Sequence, residues 1–451
     1  MTRTGQTRPR RDRGTVLIVT MWVVLVLAGL VLVFARWARV EAIASANRQS
    51  AMQADAVARG ALQYVVTAVD GTDANAEALE GLTWEQRPVG NGFFWVLRTD
   101  LQDDRQHHYG LTDEASKMNL NSASSDMLLR MPNMTAELAD AILDWRDEDA
   151  DVSPGGAESE YYLLQAEPYY CKDAPFEAVE EVLLLRDGSE DLLYGEDRNR
   201  NGVLDYNEND AADTYPDDNA DGSLDRGFLD YATVYSVEPN TASDGEKRVN
   251  VNALAMEDLS ELLREVIPDD RIFAILQNVR RGRPFRNVLD FYFRSGLTLE
   301  EFAPIADRMT TVEEEELTGM VNVNTALREV LLCLPELDEN DVDALLSRRG
   351  DPDTDLSSIA WIAEALPEEK AAAIGAHITT RSYQFSADIV AISGDGRAYR
   401  RYRVVVDAMK NPPRIVRWQD LTHLGWPLEG EIRAVLRRGE STTGTYLAAS
   451  H

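Results

Sequence analysis

The chain has 451 residues, more than one hydrophobic core usually organises, so we expect about two or three domains. Its 45 lysines and arginines against 78 aspartates and glutamates give a formal net charge of −33. Such a charge repels phosphate backbones and favours divalent cations or basic partners, so nucleic acid is disfavoured as a ligand. The two cysteines, Cys171 and Cys333, form no zinc or redox spacing. We expect two small buried residues and regard a disulfide between them as the less favoured alternative.

The N-terminal region predicts a membrane anchor. Residues 15–35 carry no charged side chain, and a helix of that length covers about 30 Å, the thickness of a hydrocarbon core. Residues 1–14 before it carry five arginines against one aspartate, which predicts a cytoplasmic N-terminus with the bulk of the chain across the membrane. A cleaved secretory signal is the alternative, but the apolar stretch is long for one and no clear cleavage site follows. Residues 36–69 keep apolar residues at helical spacing without proline, so the helix should continue to about Val69.

Strand-like segments lie on both sides of a long helical region. Residues 93–99 and 106–112 predict a hairpin, and residues 383–392 and 397–409 flank the turn SGDG with aromatic and β-branched alternation. The segment RIVRWQ adds a further strand, and we expect all of them to share one sheet. Residues 113–379 between them are typical of short helices and acidic loops. The predicted fold class is therefore α+β, with a mostly helical insertion splitting a small antiparallel sheet domain.

The insertion contains an internal repeat of an apolar-Asn-apolar-Asn step. It occurs as MNLNSAS from Met118, VNVNALA from Val249 and VNVNTAL from Val321. Two of the three units continue into a turn and a second helix, an arrangement that resembles helix-hairpin-helix or SAM-like modules. We expect the second asparagine of each step to cap the following helix through its side-chain oxygen: Asn121, Asn252 and Asn324.

Helix-hairpin-helix turns can hold DNA by presenting backbone N–H groups of a glycine-containing turn to a phosphate. At the glycine positions the first unit has Asn133 and Thr135, and the third has Glu336 and Asp338. Carboxylates beside phosphates are repulsive and release no counterions, so these turns argue against DNA binding. One basic cluster is interpreted as a solvated helix end or a partner contact; it comprises Arg280, Arg281, Arg283 and Arg286.

The sequence DRNRNGVLDYNE, residues 197–208, fits the calcium-binding loop of an EF-hand. Gly202 stands at the sharp turn, and Glu208 at position 12 is suited to bidentate binding. Calcium prefers six to eight oxygen ligands, and this spacing converges them from one short segment. The predicted oxygen donors are Asp197, Asn199, Asn201, the carbonyl of Val203, Asp205 through water, and Glu208.

A second loop, residues 217–228, repeats the pattern with Asp217, Asn219, Asp221, Ser223 and Asp225 but ends in Phe228. It lacks the bidentate acid, so either Asp230 or a residue from elsewhere completes it, or the site is weaker. The alternative is that such stretches are only solvated loops. Bound calcium would be structural, since these carboxylates repel one another without a cation and residues 194–229 should be disordered without it. The acidic run at residues 147–162 could bind another ion, but its spacing is irregular and we expect a polar loop.

A basic leader ending in Gly14, followed by an apolar and then an amphipathic helix, resembles type IV pilin-like proteins. That resemblance implies cleavage by a prepilin peptidase between Gly14 and Thr15. Val19 stands where most pilins carry glutamate. In this departure, and in the order of several further segments, the chain resembles the K-type minor pseudopilin of the general secretion pathway. These are LTDEASKMNLN, DWRDED followed by GAESEYY, the NVNTA step and a closing sheet.

This resemblance implies a structural subunit at the tip of the type II secretion pseudopilus that helps to initiate its assembly. The implied partners are the I-type and J-type minor pseudopilins, the prepilin peptidase and the bacterial inner membrane, with the bulk of the chain in the periplasm and no nucleic acid bound. Whether Thr15 is methylated after cleavage stays open. The predicted division is a leader at 1–14, a transmembrane helix at 15–35, its amphipathic continuation at 36–69, a pilin-like domain at 70–112 and 380–428, the insertion at 113–379, and a tail at 429–451.

Two other classes of protein were weighed against this one. A membrane-anchored DNA receptor of the competence type also joins one N-terminal helix to helix-hairpin-helix modules, but the charge and the missing glycines disfavour it. A membrane-tethered hydrolase is disfavoured because the five histidines form no H-E-x-x-H motif and neither cysteine lies in a nucleophile motif. We therefore expect no enzymatic activity.

Overall fold

A computed structural model describes residues 13–440, so residues 1–12 of the predicted leader and residues 441–451 of the predicted tail lie outside the described residues. The α-helices are α1 Arg13–Asp70, α2 Ser125–Leu129, α3 Ala136–Arg146, α4 Ser159–Tyr162, α5 Glu190–Tyr194, α6 Glu257–Arg264, α7 Asp269–Gly282, α8 Val288–Ser295, α9 Leu299–Phe302, α10 Arg328–Leu332, α11 Glu339–Arg349, α12 Ile362–Ala365, α13 Glu368–Ile374 and α14 Gly430–Arg437. The strands are β1 Arg87–Val89, β2 Gly92–Arg98, β3 His108–Tyr109, β4 Thr112–Asp113, β5 Met118–Asn119, β6 Ala232–Thr233, β7 Val237–Pro239, β8 Val249–Asn250, β9 Met309–Thr310, β10 Glu316–Thr318, β11 Val321–Asn322, β12 Ile378–Thr379, β13 Gln384–Ile392, β14 Tyr399–Asp407 and β15 Arg414–Asp420.

The helix α1 is a single rod of 58 residues, about 87 Å long at 1.5 Å per residue. Its N-terminal part is apolar and long enough to cross a membrane, and none of that part is covered by the other described residues. This fits a single-pass membrane anchor. The predicted uninterrupted continuation to about Val69 is confirmed, since the helix ends at Asp70.

The C-terminal half of α1 packs on a seven-stranded sheet of order β1-β2-β13-β14-β15, in which β3 pairs with the end of β2 and β4 with the start of β13. The buried residues of α1, among them Val57, Ala61 and Val65, meet Phe385 and Ile389 of β13. Every residue of β13 is buried, because α1 covers one face of the sheet there, while α14 and a loop of the insertion cover the other. The predicted sharing of one sheet by both strand regions, and the α+β class, are confirmed.

The predicted hairpin forms but is short: β3 pairs antiparallel with β2 over two residues, while Thr112 at the end of the predicted segment belongs to β4, which pairs with β13. One predicted detail of this region is wrong. The tail assigned to residues 429–451 begins with the helix α14, whose Ile432 and Leu436 are buried against Trp95 and Val390 on the second face of the sheet. The apolar residues of EIRAVL lie three and four apart, which places them on one side of a helix.

The three asparagine steps of the insertion form the strands β5, β8 and β11. Each pairs in parallel with a two-residue strand that lies far along the chain, namely β6, β9 and β12. In each step the first asparagine accepts a hydrogen bond from the backbone N–H of the second at 2.9 Å. The helices around these strands share one hydrophobic core, which is separate from the core between α1 and the sheet.

The second asparagine of each step does not cap the following helix as predicted. Asn121 bonds both backbone groups of Phe176, its Nδ2 donating to the carbonyl at 3.0 Å and its Oδ1 accepting from the N–H at 2.7 Å. Asn252 does the same at Phe285, and Asn324 donates to the carbonyl of Leu356. The next helix begins too far along the chain for the asparagine to reach its first turn, so the amide braces a distant segment instead.

The insertion joins the sheet at Asp113, a buried carboxylate at the end of β4. It accepts hydrogen bonds from the hydroxyls of Ser382 and Thr325, each at 2.5 Å, and from the backbone N–H of Ala115 at 2.8 Å. Burial raises the pKa of Asp113 to about 6, although these hydrogen bonds oppose the shift. The chain therefore leaves the sheet and returns to it around one polar contact.

Candidate metal centre

Residues 197–208 adopt a compact loop in which side chains accept hydrogen bonds from the backbone of the loop itself. The carboxylate of Asp197 accepts from the N–H groups of Asn201 and Gly202, each at 2.9 Å. Asn199 accepts from Asn201 and Asn201 accepts from Val203, also at 2.9 Å. Gly202 has a φ of 77°, which explains the requirement for glycine at this position. The first predicted donor positions are thus held together around a single turn.

The end of the loop brings Glu208 back to its beginning. Its Oε2 accepts a hydrogen bond from the N–H of Asp205 at 3.0 Å, and the side-chain amides of Asn199 and Asn201 donate to Asp205 at 2.5 and 3.1 Å. Glu208 is only 1% exposed, and its Oε1 has no hydrogen-bond partner among the described residues. A buried carboxylate oxygen without a partner fits a cation ligand, because such an atom is otherwise strongly destabilising. The residues present therefore fit a calcium ion.

The electrostatics of the loop indicate the same need for positive charge. Burial raises the pKa of Glu208 to about 8, and the neighbouring Asp197 and Asp205 contribute to the rise. Burial likewise raises the pKa of Asp197 to about 6, with a contribution from Asp230. A divalent cation among these groups would stabilise their charged forms.

The second loop, residues 217–228, repeats the backbone of the first. Asn219 accepts from the N–H of Asp221 at 2.8 Å and Asp221 accepts from that of Ser223 at 2.9 Å, while Gly222 has a φ of 81°. The amide of Asn219 donates to Asp225 at 2.8 Å, as Asn199 does to Asp205. Asp217 and the other donors of this loop are mostly exposed, so the second loop is open to solvent where the first is enclosed.

The residue that precedes the first loop places an acid beside the second loop, where the twelve-residue pattern lacks one. Glu196 is buried, and its Oε2 accepts from the N–H of Asp225 at 3.0 Å while its Oε1 accepts from that of Asn219 at 3.3 Å. This repeats the contact of Glu208 with Asp205 in the first loop. Asp230, the other candidate for this role, instead lies beside Asp197 and forms an ion pair with Arg226 at 3.9 Å. Only a search for acids outside the twelve-residue pattern could have found Glu196.

The acidic run at residues 147–162 contains buried acidic oxygens beside its exposed residues. One buried oxygen of Asp147 and one of Glu158 have no hydrogen-bond partner within residues 13–440. The ligand atoms of Glu158, Cys171 and Asp173 lie within 4.8 Å of one another. Burial raises the pKa of Glu158, and Asp173 and Asp144 add to the shift. The irregular spacing in sequence concealed this convergence because Cys171 and Asp173 follow the run.

The remaining predicted site lies in the stem. Gly14 and Thr15 both belong to α1, and Thr15 is exposed. Cys171 and Cys333 are both buried, as predicted, and burial raises the pKa of each thiol to about 12.

Comparison with known proteins gives one match to a family model and one to a solved structure. Residues 112–194 match a family model described as type II secretion system (T2SS), protein K, which confirms the predicted resemblance over that segment. Among solved structures, a chain of the GspK-GspI-GspJ complex from the type 2 secretion system of enterotoxigenic Escherichia coli is 11% identical. The alignment covers 83% of this chain and 98% of that chain with a TM-score of 0.43. None of the curated proteins matches the chain.

Proposed function

Because the segment that leads from the sheet into the insertion matches a family model described as type II secretion system protein K, we propose that this chain is a minor pseudopilin. Its role is structural, as a tip subunit of the pseudopilus that helps to initiate assembly during protein export across the outer membrane. The match over residues 112–194 is the observation that carries this proposal. It covers Asp113, where the insertion joins the sheet on which the C-terminal half of α1 is packed.

The stem supports anchoring in the inner membrane with the N-terminus in the cytoplasm and the bulk in the periplasm. The apolar part of α1 is uncovered by the other described residues, and arginines precede it in the sequence. A prepilin peptidase would cut between Gly14 and Thr15. The mature helix would then have Val19 at its fifth position, so it adds no carboxylate to the bilayer at that depth.

The partners are two further minor pseudopilins, of the I-type and the J-type. Beyond the predicted span, α1 still exposes apolar side chains that the rest of residues 13–440 leaves uncovered: Val40, Ile43 and Met52 are 60%, 50% and 70% exposed. Val40 and Ile43 lie three residues apart on one side of the helix and form a small apolar surface that a neighbouring subunit could cover, whereas Met52 faces the opposite side from Ile43. The large insertion would hinder subunits from stacking above this one, which favours a place at the tip.

Calcium is proposed as a structural ion in the two loops at 197–208 and 217–228. The partnerless oxygen of Glu208 supports the first position, and the approach of Glu196 supports the second. An ion there would neutralise carboxylates that are close together and partly buried, and so order residues 194–229.

Two measurements test the proposal. Mass spectrometry of the mature protein purified from membranes should find Thr15 as the first residue, and any other start contradicts the pilin-like processing. Co-purification of the full-length protein with the I-type and J-type subunits should yield a complex in calcium that weakens in chelator. A complex that forms equally well in both conditions would remove the metal from the proposal and leave the pseudopilin.

The second candidate is a membrane-anchored DNA receptor, and the hairpin turns disfavour it. Asp338 accepts hydrogen bonds from the N–H groups of Asn340 and Asp341, and Thr135 accepts from that of Leu138. These are the helix N-terminal groups that would hold a phosphate, and they are already occupied by side chains of the protein. A mobility-shift assay that found duplex DNA bound at physiological salt would reverse this choice.

A further inference from the structure

One arginine of the sheet reaches the first calcium loop of the insertion. Arg401 of β14 is completely buried and forms a two-pronged ion pair with Asp388 of β13, with Nε–Oδ1 and Nη2–Oδ2 distances of 2.9 and 2.6 Å. The same guanidinium donates to the backbone carbonyls of Asn199 and Arg200 at 2.6 and 2.5 Å. All four contacts come from one rigid, planar group that is fixed by the sheet.

The loop makes two more hydrogen bonds with the pilin-like part of the chain, and a side chain of the second loop bridges the two regions. The side-chain amide of Asn201 donates to the carbonyl of Pro427 at 3.3 Å, and the N–H of Leu204 donates to the carbonyl of Asp104 at 2.8 Å. Arg226, which lies in the second loop, joins the two regions by donating to the carbonyls of Asp100 and Gly202 at 2.7 and 3.2 Å. The proposed metal loop therefore lies at the boundary between insertion and sheet.

These contacts restrict the backbone of the loop before an ion binds, which affects calcium affinity. Arg401 fixes the carbonyls of Asn199 and Arg200, the third and fourth positions of the loop, while the side chains of Asn199 and Asn201 both reach Asp205. Fixing the backbone between ligands lowers the entropy that is lost when calcium orders them. Conversely, an ion that orders the loop also orders the surface that Arg401 and its neighbours contact.

Resting on the calcium site proposed above, we propose that Arg401 is a positioning residue for that site, and that calcium binding clamps the helical insertion to the sheet. The clamp links the ion to the orientation of a part of the chain that the ion does not touch. Calcium binding thereby fixes the orientation of the insertion relative to the stem, in addition to ordering one loop.

The test compares Arg401→Lys with a matched control on the same strand. Arg400→Lys alters an arginine that pairs with Asp55 of α1 at 2.6 Å and contacts neither loop within the described residues. Calcium affinity is measured by titration calorimetry on the full-length protein in detergent, after removal of calcium. Lysine keeps the charge but cannot hold Asp388 and two carbonyls together, so we expect calcium affinity to fall about tenfold in Arg401→Lys and to be unchanged in Arg400→Lys.

Hydrogen exchange of the wild type provides a readout that does not depend on any variant. Calcium should slow exchange in residues 99–105 and 421–429 of the pilin-like part as well as in the loop. Protection confined to 197–208, equal affinities for the wild type and Arg401→Lys, or equal losses in both variants would each overturn the clamp. In those outcomes the wild type still binds calcium, whereas a wild type that binds none refutes the proposed site itself and the clamp with it.

Discussion

Replacing Glu208 with glutamine should change stability in opposite directions with and without calcium. The pKa of Glu208 is raised to about 8 in the folded protein, against about 4.5 for a free glutamate. The folded state therefore binds this proton more tightly than the unfolded chain, and stability is lost as pH rises from about 4.5 to 8. At pH 6, where unfolding is followed, and without metal, this carboxyl group destabilises the fold by about 2 kcal/mol, which Glu208→Gln removes.

In calcium the same substitution removes the bidentate ligand. An ion at one hundred times its dissociation constant stabilises the folded state by about 2.7 kcal/mol, most of which the variant should lose. Thermal unfolding of the full-length protein in detergent, followed by tryptophan fluorescence, should show a higher Tm for the variant in chelator and a lower Tm in calcium. Shifts of about 2–4 °C per kcal/mol are expected for a domain of this size.

Glu301 supplies the control for this experiment, because it makes the same local contact away from the metal loops. It accepts a hydrogen bond from the N–H of Thr298 at 2.9 Å at the start of α9, as Glu208 does from Asp205. Glu301→Gln should shift Tm equally in calcium and chelator. If Glu208→Gln also lowers Tm equally in both, the carboxylate only caps a turn and the metal reasoning is refuted.

Three further outcomes are expected. Glu196→Gln should lower the calcium stoichiometry in calorimetry by one and leave the first loop filled; an unchanged stoichiometry contradicts the assignment of Glu196. Asp113→Asn should gain stability relative to the wild type as pH rises from about 4 to 6, by about 2–3 kcal/mol, because the raised pKa of about 6 penalises the carboxylate over that window; a Tm difference that does not vary with pH counts against it. Asn252→Ala leaves both backbone groups of Phe285 without their partner and should lower stability by about 2 kcal/mol, equally in calcium and chelator; a loss seen only in calcium would connect this brace to the metal.

Features encoded over short stretches of sequence were predictable. The uncharged run predicts the apolar helix, and the alternation of side chains predicts β13 and β14. The proposed calcium loop has its candidate donors within twelve consecutive residues, and these residues form one compact turn. In each case, the interacting groups are near neighbours in the chain, so spacing alone determines the geometry.

Features that depend on distant segments were not predictable. The sequence around Asn121 is typical of a helix cap, yet its side chain forms hydrogen bonds with the backbone of Phe176, a residue far along the chain. Glu196 and Glu158 meet their neighbours only after the chain has turned back on itself. Local propensity competes with tertiary hydrogen bonds at such positions, and burial decides in favour of the latter because unpaired backbone groups are destabilising.

The position at which the insertion leaves the sheet has a consequence for the history of the chain. Thr112 and Asp113 pair antiparallel with Ser386 and Phe385, so the strand that departs and the strand that returns lie side by side. A short hairpin could join them directly. An ancestral sheet could therefore have gained the whole helical insertion in a single recombination event, without losing a hydrogen bond between its strands. For the same reason, a protein in which a two-residue turn replaces residues 114–383 should still fold its stem and sheet.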